Sequence, residues 1–358
     1  MKINNISLSR ISNNAIFLSI VIVFFLKLLL FILIDNEILS IEYGGGSDAN
    51  YYDAYAKGFS DIAVNIWPVM LRYLDNIGLY SRAGVTYFLL FISLFVIPLM
   101  VARIAGLNFK SHQKDFLYAF LLCSTYPTIY FYSMDVYRDV FMVLSFLLGC
   151  LVVKKFLKST NVLHFLLLLM ISVLIGVFLV GLRSYLGYAF LLSLLLWKIE
   201  FTKKRIVFLG LLYLLVLLVA NYVGIFELLT EYRSGFGEEG GSTLGLDFSN
   251  PVMFIPSFIL SILGQLFGLY ITNPFSLILF LIETIPFVFM FYYVIKNIKL
   301  ADSFVRFLII FFVIYASVWL IGNDNLGTAV RLRLYNYLAI YISFFYILRL
   351  KTISSKIL

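Results

Sequence analysis

Ile16-Phe-Leu-Ser-Ile-Val-Ile-Val-Phe-Phe-Leu-Lys27-Leu-Leu-Leu-Phe-Ile-Leu-Ile34 is an apolar run interrupted by a single charge. A helix crosses the roughly 30 Å of bilayer hydrocarbon with about 20 such residues, so this stretch reads as a membrane span. Comparable runs recur along the chain at 15–34, 84–102, 117–133, 139–153, 162–181, 184–197, 206–224, 275–295, 303–321 and 334–349, about ten in all. A chain in lipid must satisfy its backbone hydrogen bonds internally, which makes helices the expected form. The run 16–34 is too long for the apolar region of a cleaved signal peptide, and no small-residue cleavage site follows it. The expected fold is therefore an all-α polytopic membrane protein.

Composition agrees. Of 358 residues, 62% are hydrophobic and 13% are charged, and the mean hydropathy is +1.00. Soluble domains carry about 25% charged residues, so a soluble enzyme, a nucleic-acid binder and a secreted disulfide scaffold are excluded. The formal charge of +8 reads as a determinant of orientation. With the N-terminus inside, most Lys and Arg fall in inner segments, from Lys2 through Lys203-Lys204-Arg205 to Lys356, and most acids fall outside. Both termini are expected to be cytoplasmic.

The chain, 1–358, reads as one integral membrane domain with two longer outer segments, 35–83 and 225–274. In the first, Ile66, Met70, Leu74 and Ile77 share one helical face and Asn65, Arg72 and Asn76 another. That pattern predicts an amphipathic helix on the outer membrane surface. In the second, 251–270 is nearly all apolar, but a crossing there would put Lys296 and Lys299 on the outer side. It is expected to be an interfacial or re-entrant helix. Cys123 and Cys150 lie in apolar runs as packing residues, and no Cys/His spacing suits a metal.

The kind of base differs between the two sides. The outer basic residues are Arg72, Arg82, Arg138, Arg183, Arg233, Arg331, Arg333 and Lys57, whereas lysine predominates inside. Orientation needs only charge, but a planar guanidinium fork binds phosphate or carboxylate in two places. The competing reading pairs each arginine with a nearby carboxylate or lipid headgroup. Arg183 sits in the tight turn Gly181-Leu-Arg-Ser-Tyr-Leu-Gly187, which holds it at membrane depth. Arg331 and Arg333 precede the last span; if that stretch is helical they diverge by about 200° and bind different groups, and if extended they point the same way. Asp48 follows a glycine run, Gly44-Gly-Gly-Ser-Asp, where it could approach a ligand or simply cap the helix carrying Tyr51, Tyr52 and Tyr55. Asp135, Arg138 and Asp139 are expected on one helical face, where the two acids could equally hold Arg138 in place. Glu283 inside the eighth span suggests either a proton path or an internal hydrogen bond. The only histidines, His112 and His164, are on or near the cytoplasmic side, so none can serve as an outer general base.

Gly-Ser-Asp-Ala-Asn-Tyr-Tyr at 46–52, with Asn-Ile-Trp-Pro at 65–68, resembles the first outer loop of bacterial polysaccharide polymerases. So do Tyr-Pro-Thr-Ile-Tyr-Phe-Tyr-Ser-Met-Asp-Val-Tyr-Arg-Asp-Val-Phe-Met at 126–142 and Asn-Asp-Asn-Leu-Gly-Thr-Ala-Val-Arg-Leu-Arg at 323–333. Together they are similar to O-antigen polymerases of the Wzy type, related to membrane glycosyltransferases of the GT-C class. The resemblance implies a site facing the periplasm of a bacterial inner membrane and no cofactor or metal. The implied ligand is an undecaprenyl-pyrophosphate-linked oligosaccharide amid membrane lipids, with a chain-length regulator and a flippase as further partners and no nucleic acid. Asp48, and after it Asp139, would be the general base. Arg138, Arg183, Arg233, Arg331, Arg333 and Tyr335 would bind pyrophosphate or glycan, and the glycine-rich loop 235–241 could close over the lipid. Two other readings stay open. A GT-C enzyme with a polyprenyl-monophosphate sugar donor would favour a metal at Asp48 and Asp53. A lipid-linked oligosaccharide flippase would need basic residues along a central cavity.

Overall fold

The computed structural model describes residues 11–39, 46–235, 242–248 and 250–357. Among them the chain is helical throughout, with one isolated antiparallel bridge between Thr243 and Asn325 and no strand. Six helices are long and apolar enough to cross a membrane, which makes this a membrane-embedded protein. They are α1 (Asn13–Asp35), α4 (Arg82–Ile104), α8 (Val162–Leu182), α10 (Lys203–Tyr222), α13 (Pro274–Lys296) and α14 (Ser303–Gly322). Between them lie α2 (Gly46–Ala56), α3 (Ile66–Asn76), α5 (Gln113–Ser124), α6 (Pro127–Phe131), α7 (Asp139–Phe156), α9 (Ser184–Leu196), α11 (Glu227–Gly235) and α12 (Phe254–Leu266), and α15 (Leu326–Ile357) ends the fold.

Helix α15 is the axis of the molecule. Every residue from 332 to 347 is buried, as expected of a helix that is apolar all round. Helices α4, α7, α13 and α14 pack around it. By contrast α1 and α10 bury few side chains and leave broad apolar faces for lipid. α1 is held by Ile16 and Ile20 against Leu117, by Phe31 against Leu90 and Leu94, and by Lys27, whose Nζ donates to the Tyr126 carbonyl at 3.3 Å.

Three expectations change shape. The run 117–133 is not one helix, because Pro127 lacks an amide hydrogen and drives Tyr126 into an extended conformation (φ −65°, ψ 110°). The chain breaks into α5 and α6, and the amide freed at Thr128 donates to Glu283. The last helix begins at Leu326, a good two turns before the expected span, so Arg331 and Arg333 ride on it. Helix α3 forms where expected, capped by Asn65, whose side chain accepts from the Trp67 amide at 3.0 Å. It does not lie free on the membrane: Trp67 and Leu71 are buried against the protein, and the Trp67 indole donates to the Val136 carbonyl at 2.9 Å. Helices α9 and α12 are each about 20 Å long at 1.5 Å per residue, so the run expected to span at 184–197 is as short of the bilayer hydrocarbon as the expected re-entrant helix at 251–270.

Helices α7, α8 and α9 approach closely through glycines. A Cβ on Gly149 would meet the Phe190 ring at 2.7 Å, and one on Gly187 would overlap the backbone nitrogen of Val180. Gly210 on α10 has open space around it. Gly187→Ala should therefore cost about 1–3 kcal/mol by overpacking, lowering the thermal midpoint in detergent. Gly210→Ala should leave that midpoint unchanged or slightly raised.

Candidate functional site

The N-terminal end of α15 is built from loop residues that cap it. Asn325 is the cap: its side chain accepts from the Thr328 amide at 2.9 Å and its carbonyl from Ala329 at 2.9 Å. The Leu326 amide donates to the Ser242 carbonyl at 2.9 Å, pinning the segment 242–248 across this end. Arg233 locks the same corner from beneath. Its guanidinium pairs with Asp324 and donates to the carbonyls of Leu320, Ile321, Asn323 and Leu246. All three of its nitrogens are engaged and its side chain is buried. The expected pyrophosphate role for Arg233 gives way to a latch that closes the C-terminus of α14.

Arg331 and Arg333 diverge because they lie two positions apart on a helix. Arg331 reaches Asp139 at 3.0 Å and Asp48 at 2.8 Å, both through Nη2, and stacks over the Tyr132 ring at 4.8 Å. Arg183 approaches the other oxygen of Asp139 at 3.6 Å. Asp139 is thus shared by two arginines and 1% exposed, whereas the Asp48 side chain is 41% exposed. Arg333 turns away to Glu283 at 3.2 Å. The other Glu283 oxygen accepts from the Thr128 amide (2.8 Å) and hydroxyl (2.6 Å). Gly268, at φ +58°, gives Arg333 room, since a Cβ there would lie 2.7 Å from Nη1.

Two cavities flank this end of α15. The first, about 570 Å³, is lined by Arg331, Arg333, the first turns of α15 and a polar set that includes Thr128, Gln265, Asn273, Ser276 and Asn325. The second, about 470 Å³, is lined by Arg138, Arg183, Asn65, Tyr185, Tyr232 and Trp319. Thr328 lines both. Arg138, Arg183, Arg331 and Arg333 face three carboxylates, those of Asp48, Asp139 and Glu283, so the region carries excess positive charge. That arrangement suits anionic ligands, since a guanidinium fork can bind phosphate in two places.

Other expectations separate. Asp135, Arg138 and Asp139 do not share a helical face, because α7 starts only at Asp139. Asp135 instead accepts from Arg82 at 2.8 and 2.5 Å, and Arg138 donates to the Leu182 carbonyl at 3.0 Å. Tyr335 is fully buried, edge-on to Phe146 and Tyr315, and like Asp48 and Asp139 it lines neither cavity. Arg72 donates to the Tyr55 carbonyl and lies over that ring at 3.8 Å. The glycines at 44 and 45 and the loop positions 236–241 lie outside the described residues. Sequence reading missed Thr128, Asn65, Gln265 and the polar residues of 272–276. Pro127 was the signal for the first; the others had none.

Asp48 and Asp53 lie five residues apart, about 140° around α2, and contact different cations. Asp53 pairs with Lys57 at 2.9 Å and accepts from Tyr80 at 2.7 Å, with Arg82 at 3.9 Å. Partial burial opposes ionisation of Asp53, but the bonds from Lys57 and Tyr80 and the charge of Arg82 outweigh it and hold its carboxyl below the ordinary value. A depressed carboxylate stabilises the fold above its unfolded pKa of about 4, and that contribution is lost as pH falls through the folded value. Asp53→Asn should thus lower the thermal midpoint at pH 7 by an amount worth at most about 1 kcal/mol, and the gap to the unmodified protein should close towards pH 3. Arg233→Ala, which strands Asp324 and several carbonyls, should cost about 3–5 kcal/mol. Combining it with Asp324→Leu should recover part of that loss in the same thermal melt.

The chain matches no protein-family model, no curated protein and no solved structure.

Proposed function

We propose that this membrane protein polymerises a glycan by moving a growing chain from one undecaprenyl-pyrophosphate carrier onto a second lipid-linked repeat, at the outer face of a bacterial inner membrane. The observation that carries the reading is the Asp48–Arg331–Asp139 cluster, whose Arg331 lines the first of two arginine-lined cavities at one end of α15. A polymerase must bind two pyrophosphate-linked sugars and bring their reacting atoms to one carboxylate. The excess of guanidinium over carboxylate at this end suits such anions, and the polar lining of the first cavity suits sugar hydroxyls.

In this mechanism the acceptor hydroxyl gives its proton to the Asp48 carboxylate as its oxygen bonds to the anomeric carbon of the donor. The bond from that carbon to the pyrophosphate oxygen breaks, and the electron pair leaves on undecaprenyl pyrophosphate. Negative charge grows on the leaving group, so Arg331 and Arg333 stabilise the transition state more than the ground state. Asp48 acts as the base because it is the half-exposed carboxylate with a single arginine partner. Asp139 is buried, holds two arginines and positions Arg331. A pyrophosphate that competes for Arg331 also releases Asp48, so donor binding arms the base.

The reading includes about ten crossings with cytoplasmic termini, which adds α5–α6, α7, α9 and α15 to the six long helices and leaves α12 re-entrant. Partners such as a chain-length regulator and a flippase belong to the same proposal. The test is the purified protein in liposomes with a lipid-linked repeat from its own strain. The expected product is a ladder spaced by one repeat. Asp48→Asn should slow its formation about 10²–10⁴-fold, as for loss of a general base, and Arg331→Gln about 10²–10³-fold. A single added sugar, formed only with a polyprenyl-monophosphate donor, would replace this reading with a GT-C transfer.

A further inference from the structure

The second cavity holds an unpaired donor. Arg138 Nε has no hydrogen-bond partner; Arg183, 7% exposed, has only the Tyr315 hydroxyl near its Nη1, and Asn65 Nδ2 has only the Tyr52 hydroxyl. All three residues line this cavity. Arg138 makes no ion pair among the described residues; its Nη1 donates only to the Leu182 carbonyl. The oxygen of Asn65 is already taken by the Trp67 amide. Buried polar groups in folded proteins are nearly always satisfied, and an unpaired buried donor is costly. Asn323 adds an unpaired amide oxygen to the same wall, but neither it nor the two hydroxyls is charged, and what Arg138 lacks is an anion.

Backbone geometry adds to this. Ser184 opens α9, and Ser184 and Tyr185 line the cavity. The carbonyl of Arg183 accepts from Leu186 and Gly187, so the helix starts at the cavity wall with its positive end there. Arg331 and Arg333 do not line this space. The arginines therefore do not form one clamp. Asp139 stands between Arg183 and Arg331 and keeps the two pairs apart.

We infer that the second cavity is a binding site of its own for a phosphate or pyrophosphate group, held by Arg138, Arg183, Asn65 and the start of α9. Resting on the polymerase reading, the occupant is the pyrophosphate of the second lipid-linked repeat. The chemistry is equally that of a phospholipid headgroup, and the experiment separates the two.

The measurement is equilibrium binding of farnesyl pyrophosphate to the full chain in detergent by calorimetry, with no turnover. Two sites per chain are expected. Arg138→Gln should weaken one of them at least ten-fold and leave the other, while Arg333→Gln should do the reverse. Arg138→Lys should restore part of the lost affinity. A thermal melt of each variant shows that it is folded. One site per chain, or two sites that both ignore Arg138→Gln, overturns the inference. Phosphatidylglycerol in mixed micelles should fail to displace the ligand held by Arg138. Displacement at equal concentration assigns the site to membrane phospholipid and overturns its assignment to substrate. The readout is independent of polymerisation: two sites without a ladder reject only the proposed reaction, and a ladder with one site rejects only this inference.

Discussion

Asp139 is the constraint on which the cavity-bearing end of the molecule depends. A carboxylate at the end of a buried helix is tolerated only if cations are brought against it, because desolvating an unpaired charge costs several kcal/mol. The chain meets this with Arg331 from α15 and Arg183 from the turn between α8 and α9. Those two contacts tie three otherwise separate parts of the fold to one point. They also fix where Arg331 lies, and through it where Asp48 on α2 is held. Arg331, which lines the first cavity, and Arg183, which lines the second, thus meet on one buried acid.

Glu283 does the same work deeper in the structure. It pairs with Arg333 on one oxygen and binds Thr128 twice on the other, and its own carbonyl accepts from Tyr341 at 3.2 Å. The Thr128 amide is free for this only because Pro127 breaks the helix there. Irregular backbone at membrane depth is tolerated where it is buried in protein, and here the break supplies a donor to a buried charge. Lys27 enters the same neighbourhood from α1, over the Tyr130 ring at 4.6 Å. The isolated acid noticed in the sequence is therefore part of an internal network, and the lone lysine of the first span is a tie between a peripheral helix and the core.

The arginines illustrate how far residue type carries and where it stops. The predominance of arginine over lysine in the segments expected to lie outside was readable without coordinates. The division of the arginines into roles was not. Arg233 and Arg331 look alike in sequence, each near an acid and a helix end. One is spent on five backbone and side-chain acceptors, and the other bridges two carboxylates beside a cavity. Arg82 and Arg72 likewise go to structural contacts, with Asp135 and the Tyr55 carbonyl. Which acceptor an arginine finds depends on chain segments up to hundreds of positions away, as with Arg331 and Asp48.

Sequence by itself determined that this chain is helical and membrane-embedded, and that its longest apolar runs form the long helices. Those properties follow from local composition and period: burial in lipid demands long apolar runs, and a helix closes its hydrogen bonds within itself. Tertiary structure alone decided that 117–133 breaks in two, that Arg331 and Arg333 serve different acids, that Tyr335 is packed away, and that Arg138 and Arg183 line a cavity of their own. Each of these rests on where one helix end lies against another. Ion pairs and unpaired donors are set by distances between remote segments, and no local pattern encodes them.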